Sequence, residues 1–259
     1  MTNTEYRFPF GCPVTERKPS AYPQGRLFVL GAYPSALHVQ WEPPVGRPGG
    51  LIKAMAVDNE PEPFWNGADA DEQVAKWLRD AEFHDGWGVV KIPPGINGRS
   101  GGWVDSNILK KFDALRTDAW ITDCLNAYRR SEGGWRAIEE RFVPFAVDAG
   151  IELPELAPHP DEDQIVAEAS TAARSAALRD ELHTAAPETI VTLGNSALRV
   201  MRELVDEIVG PDPGKGLRVG GYGARCDVLV NGRTIGWYPL AHPAAPERYQ
   251  VAHEGWMPA

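Results

Sequence analysis

Four short apolar runs punctuate the chain: Leu27–Leu30, Ala119–Thr122, Thr189–Leu193 and Ile235–Leu240. Runs of this length without polar alternation suit strands covered on both faces. Between them the apolar spacing turns helical, with Val74, Ala75, Trp77, Leu78 and Ala81 on one side of Asp71–Ala81. Asp161 followed by Gln164 reads as a helix start, and the Ala-rich run Ile165–His183 as one strong helix closed by Pro187. Gly194-Asn195-Ser196 turns into a helix over Ala197–Val209, capped by Asn195 or Ser196 and stopped at Gly210 and Pro211. Cys226–Val230 and Thr234–Tyr238 flank Asn231-Gly232-Arg233, a hairpin signal. Residues 1–25 predict an irregular arm, and 41–118 a Pro/Gly/Trp-rich region longer than a crossover needs. Within it, Lys91–Trp103 reads as a loop, too glycine-rich for a strand or helix. Strands alternating with helices predict an α/β fold: one domain over 1–259 with a central, mainly parallel four-stranded sheet and helices on each face.

Composition narrows the class. With 43% hydrophobic and 24% charged residues, the 259-residue chain is expected to be an ordinary soluble globular protein. No signal pattern or bilayer-length run is present, so the expected compartment is the cytoplasm. Cys12, Cys124 and Cys226 are too few and scattered for a disulfide framework, a zinc site or a four-thiolate iron–sulfur cluster. The expectation is no metal and no cofactor. A formal net charge of −10 disfavours a protein that coats nucleic acid, yet leaves room for a local basic rim.

Candidate chemistry gathers where strands end. Gly31-Ala32-Tyr33-Pro34-Ser35 follows the first apolar run and His242-Pro243-Ala244-Ala245-Pro246 the last. Loops leaving neighbouring parallel strands converge on one crevice. A Gly-x-x-Pro turn brings bare backbone close to a ligand, and the His adds a donor. Trp120-Ile121-Thr122-Asp123 and Ile190-Val191-Thr192-Leu193-Gly194 complete an ordered set of four motifs. From about Arg26 to Tyr249 this set resembles the uracil-DNA glycosylase superfamily. The resemblance implies a three-layer α/β/α, uracil-DNA glycosylase-like fold, with His242 as the donor to the departing base.

Two departures shape what the resemblance implies. The first loop carries Ala32 and Tyr33 where many members have a carboxylate or Asn that handles the attacking water. Asp123 stands where uracil readers have Asn. An ionised Asp only accepts, and so opposes uracil O4; a protonated one accepts from the cytosine amine and donates to N3. In this superfamily an Asp here is associated with cytosine recognition, and Asp123 could also act as general acid. The other reading of Asp123 is the N-cap of a helix from Cys124 onward, holding backbone and no ligand.

Other candidates are Phe64 and Trp65 as the platform for a flipped base, or simply as core aromatics. Ser35, Ala244, Ala245 and Arg248 are candidates for contacting DNA, and Trp87, Arg99 and Trp103 for an enlarged pocket wall. The expectation is a monomeric, monofunctional DNA glycosylase, with DNA as its partner and no membrane association. The excised base expected is a modified cytosine, including glucosylated hydroxymethylcytosine of viral DNA, with an antiviral role. Two alternatives stand: a repair glycosylase for uracil or another deaminated base, and a non-catalytic nucleic-acid-binding protein on the same fold.

Overall fold

The structure is a computed structural model, in which residues 6–20, 26–214 and 216–258 are described. The part of the expected arm over residues 1–5 and 21–25 lies outside them. The rest of the arm makes a short 3₁₀ turn at Pro9–Gly11, and Ser20 exchanges backbone hydrogen bonds with Ile121.

The strands are β1 (Leu27–Gly31), β2 (Ala36–Glu42), β3 (Ile52–Asn59), β4 (Val89–Lys91), β5 (Ala119–Asp123), β6 (Thr189–Leu193), β7 (Glu207–Ile208), β8 (Cys226–Val230) and β9 (Arg233–Leu240). The helices are α1 (Ala70–Asp80), α2 (Arg99–Asn107), α3 (Glu132–Ala137), α4 (Val143–Ala149), α5 (Glu162–Ala169), α6 (Ala172–Ala185), α7 (Asn195–Leu204) and α8 (Glu247–Glu254). The main sheet is mixed and mainly parallel, with six strands in the order β5-β1-β6-β9-β8-β7. β5, β1, β6 and β9 run parallel, and β8 and β7 continue the sheet antiparallel.

Four strands were expected and six are present. The expected hairpin explains one: Asn231 and Gly232 both adopt positive φ, as a two-residue type I′ turn requires, and fold β8 back on β9. β7 is the other. The helix expected to reach Val209 stops at Leu204, and Glu207–Ile208 pairs with the free edge of β8 instead. Neither Asn195 nor Ser196 caps that helix; Gly194 occupies the cap, and Asn195 Oδ1 accepts from Leu217 N–H at 2.9 Å.

The main sheet is buried on both faces, as the unbroken apolar runs require. Phe28, Leu30, Trp120, Ile190 and Trp237 enter one core with α5, α6 and α7. Leu27, Val29, Ile121, Val191, Tyr238 and Leu240 enter another with Val104 of α2, Ile108 and Trp256. The long helix expected over Ile165–His183 is broken into α5 and α6. There Ser170 and Thr171 donate their hydroxyls to the carbonyls of Val166 and Glu168, which competes with helix continuation.

A second sheet that was not expected, antiparallel in the order β3-β2-β4, begins at Ala36 just ahead of the region 41–118 and takes β3 and β4 from within it. Its core is separate: Val39, Trp41, Met55, Val57, Trp77, Phe142 and Phe145 pack with Phe10. The expected loop Lys91–Trp103 is also corrected. It begins with the end of β4 and runs into α2. Glycine is there for packing: a Cβ on Gly101 would lie 2.1 Å from the Phe64 carbonyl oxygen and 2.2 Å from that of Trp65. The same glycines that lower helix propensity let α2 lie directly on backbone.

Candidate functional site

The parallel strands fix the site. Because β5, β1, β6 and β9 point the same way, Asp123, the loop 31–35, Gly194–Ser196 and His242 all emerge at one end of the sheet. A cavity of about 650 Å³ opens there. Ala32, Tyr33, Pro34, Ser35 and His242 line it, together with Ser100, Tyr128, Arg129, His159 and Asn195.

Asp123 is not itself a lining residue. It closes β5 opposite Gly31, and a Cβ on Gly31 would lie 2.2 Å from its Oδ1 and 2.4 Å from Phe64 Cε2. Only glycine lets the carboxyl and the ring edge meet the first loop this closely. From behind, Arg174 of α6 donates to the backbone carbonyls of Asp123 (2.6 Å) and Cys124 (3.0 Å), fixing the strand end. The Asp123 side chain is 3% exposed, and neither carboxyl oxygen has a hydrogen-bond partner among the described residues. It caps no helix, since residues 124–130 are not helical. Burial, then the nearby Glu60 carboxyl, pushes its acidity far toward the protonated form, and Arg174 only partly offsets this.

Glu60 was missed in the sequence. It follows β3, is 4% exposed, and its Oε1 accepts the Ser35 N–H at 2.7 Å. Burial raises its pKa to about 8. The signal that places it, a strand running Ile52–Asn59 to the first loop, belongs to the unrecognised second sheet. The segment Pro158-His159-Pro160 was also missed; Tyr33 Oη lies 2.5 Å from His159 Nδ1, and both residues line the cavity.

His242 is prepared as a neutral donor. Its Nδ1 accepts the Ala244 N–H at 3.1 Å, which leaves the proton of a neutral ring on Nε2. Burial lowers its pKa and favours that neutral form. Gln250 of α8 holds the loop, its amide nitrogen lying 3.4, 2.9 and 3.3 Å from the carbonyls of His242, Pro243 and Ala245. The Ala244 N–H goes to the His242 ring and the Ala245 N–H to the His242 carbonyl, so neither backbone donor is free for phosphate. Arg248 is exposed, 5.1 Å over the Tyr249 ring.

The remaining candidates separate. Phe64 stays with the site, its ring centroid 6.5 Å from that of His242. It holds a left-handed φ of 52°, costly for an aromatic residue, and Arg116 pins its carbonyl at 2.7 Å. Trp65 turns away into the second core and donates to Asp69 Oδ1 at 2.6 Å. Trp87 stacks on Phe10 at 5.3 Å in that same core. Trp103 lies against His253 at 4.8 Å, and neither tryptophan lines the cavity. Arg99 is exposed beside the lining Ser100.

Among the described residues no group of three or more His, Cys, Asp or Glu side chains could hold a metal, and no helix is long and apolar enough to cross a membrane. No protein-family model matches the chain, and no curated protein matches it.

Proposed function

We propose that this protein is a monofunctional DNA glycosylase that takes a flipped, modified cytosine. The observation that carries the reading is the Asp123 carboxyl, buried, without a hydrogen-bond partner among the described residues and meeting Gly31 together with Phe64, whose ring in turn lies near that of His242. A buried polar group without a partner is costly, on the order of 1–3 kcal/mol, and a base edge would supply what is missing. Protonated Asp123 matches cytosine: its hydroxyl donates to N3 and its carbonyl oxygen accepts from the exocyclic amine. Uracil offers a donor at N3 and an acceptor at O4, the reverse arrangement. Phe64 supplies an edge or face for the ring, and His242 Nε2–H is the donor for O2. The β5-β1-β6-β9 order, with helices against both faces, supports a uracil-DNA glycosylase-like arrangement of this part of the fold.

The chemistry balances with these groups. Water adds its oxygen to C1′ as the bond from C1′ to N1 breaks, and the electron pair stays on the base. The Asp123 proton moves to N3, so the base departs neutral. The proton released by the water restores the carboxyl. His242 stabilises negative charge at O2 on the way.

A cavity of about 650 Å³ exceeds what an unmodified pyrimidine requires, and its outer lining (Arg129, His159, Asp161, Glu162, Asn195) is polar. This favours a bulky polar 5-substituent, the class that includes glucosylated hydroxymethylcytosine of viral DNA, and hence an antiviral role. The test incubates the protein with DNA carrying uracil, hypoxanthine, cytosine or 5-modified cytosines and measures abasic sites. Abasic sites confined to modified cytosines are expected. Excision of uracil alone, or binding without any excision, overturns the reading.

A further inference from the structure

A second cavity, of about 400 Å³, adjoins the first and shares His38, Tyr128 and Ser131 with it. Its own walls come from β3, from the residues just before α3, from α3 itself and from the π-helical segment Ile138–Phe142 that follows it: Lys53, Arg130, Trp135 and Arg141 stand among small and apolar residues. No described lining residue is acidic. This is unusual in a chain that carries 36 acidic against 26 basic side chains.

The two arginines are positioned without being neutralised. Arg130 Nε donates to the Leu156 carbonyl at 3.0 Å, and its guanidinium carbon sits 4.3 Å over the Trp135 ring. Arg141 Nη1 donates to the Leu51 carbonyl at 2.7 Å. Neither these two nor Lys53 forms an ion pair with a carboxylate among the described residues, whereas ten other cationic side chains, among them Arg116, Arg174 and Arg202, do. Guanidinium groups held by backbone carbonyls keep their remaining N–H donors for an outside acceptor.

We infer that this groove carries the phosphate backbone of the DNA strand flanking the nucleotide in the first cavity, with Lys53, Arg130 and Arg141 as its phosphate contacts. The inference rests on the DNA-directed reading of the first cavity, with which the groove is continuous. The occupant is a nucleic-acid strand because the groove offers two guanidinium groups held by backbone carbonyls and an exposed lysine, with no acidic lining residue among those described, and adjoins the cavity assigned to the base. The binding is sequence-independent, since phosphate contacts position a strand and do not read it.

The test measures the affinity of a 20-nucleotide strand by fluorescence anisotropy across a KCl series. The proteins compared are the wild type, the double variant Lys53→Gln/Arg141→Gln, and the charge-preserving Lys53→Arg/Arg141→Lys. Thermal melts confirm folding, and wild-type base excision is assayed in parallel. Removing two phosphate contacts is expected to lower the slope of log affinity against log salt by about 1.4–2 and to weaken binding about tenfold, whatever the sequence. The charge-preserving variant is expected to keep the wild-type slope. An unchanged slope in the Gln variant overturns the groove while excision by the wild type leaves the glycosylase reading standing. Normal slopes and loss on substitution, without excision of any base, support the groove and sink the glycosylase. A wild type that binds no DNA overturns the groove outright.

Discussion

At the scale of single residues, Asp123 concentrates the specificity of the site. Its carboxyl has no hydrogen-bond partner among the described residues, so replacing it costs little internal bonding and changes mainly what it can recognise. Asp123→Asn exchanges a titratable carboxyl for an amide that can donate to O4 and accept from N3–H. Excision of modified cytosine should fall by about a hundredfold or more, as expected when a buried polar match is reversed, and some uracil excision should appear. Abasic-site assays on both substrates check this; unchanged cytosine-type activity with no gain on uracil would remove Asp123 from the reading. The residue itself was legible in the sequence because it closes an apolar run. Glu60 was not, although it is as deeply buried and bonds the first loop. A carboxylate among Asn59, Glu60 and Glu62 looks like ordinary surface until β3 is known to deliver it inward.

At the scale of elements, the parallel strands were readable and the second sheet was not, for a physical reason. β1, β5, β6 and β9 are sandwiched between layers and must be apolar throughout, so they stand out. β2 has partly covered His38 and Gln40 interleaved with buried Leu37, Val39 and Trp41, and its register with β3 shifts at two places. The alternation of β2 is a strand signal that could have been read from the sequence, whereas β3, which does not alternate regularly, and the three-residue β4 are hidden inside the Pro/Gly-rich region. Helix α2 was hidden by its own glycines, which makes a matched pair of substitutions informative. Gly101→Ala drives a Cβ into two backbone carbonyls and should destabilise the protein by about 1–3 kcal/mol. Gly102→Ala, one position on, meets nothing within 4 Å and should stabilise by up to about 1 kcal/mol through helix propensity. Urea denaturation of the two variants should give opposite signs.

At the scale of the whole molecule, buried ionisable groups set the dependence of stability on pH. Burial holds Glu60 at about 8 and raises Asp123, so both are protonated in the folded state over a range where the unfolded chain has lost those protons. Their contribution is fully present below the ordinary carboxyl range and is lost as pH rises, for Glu60 through about 8. His38 and His253, lowered to about 4 by burial, act in the opposite sense and only below about 6.5, the ordinary histidine pKa. Between about pH 6.5 and 8 the carboxyls therefore act without opposition from the histidines, and stability should fall as pH rises. Glu60→Gln, which keeps an acceptor for Ser35 N–H, should gain on the wild type by about 3–5 °C in Tm per pH unit across that window. Parallel thermal melts at several pH values test this; a constant gap would show that Glu60 does not titrate there.

The position of β9 has a consequence for how the molecule is made. It lies inside the six-stranded sheet, between β6 and β8, although it is the last strand in the chain. During synthesis β5, β1 and β6 can associate as they emerge, but the sheet stays open until residue 240 has left the ribosome. His242 then arrives opposite a partly built crevice that already holds Asp123 and the first loop. A nascent chain shorter than this has an unpaired β6 edge exposed to other strands, and it lacks the His242 loop altogether.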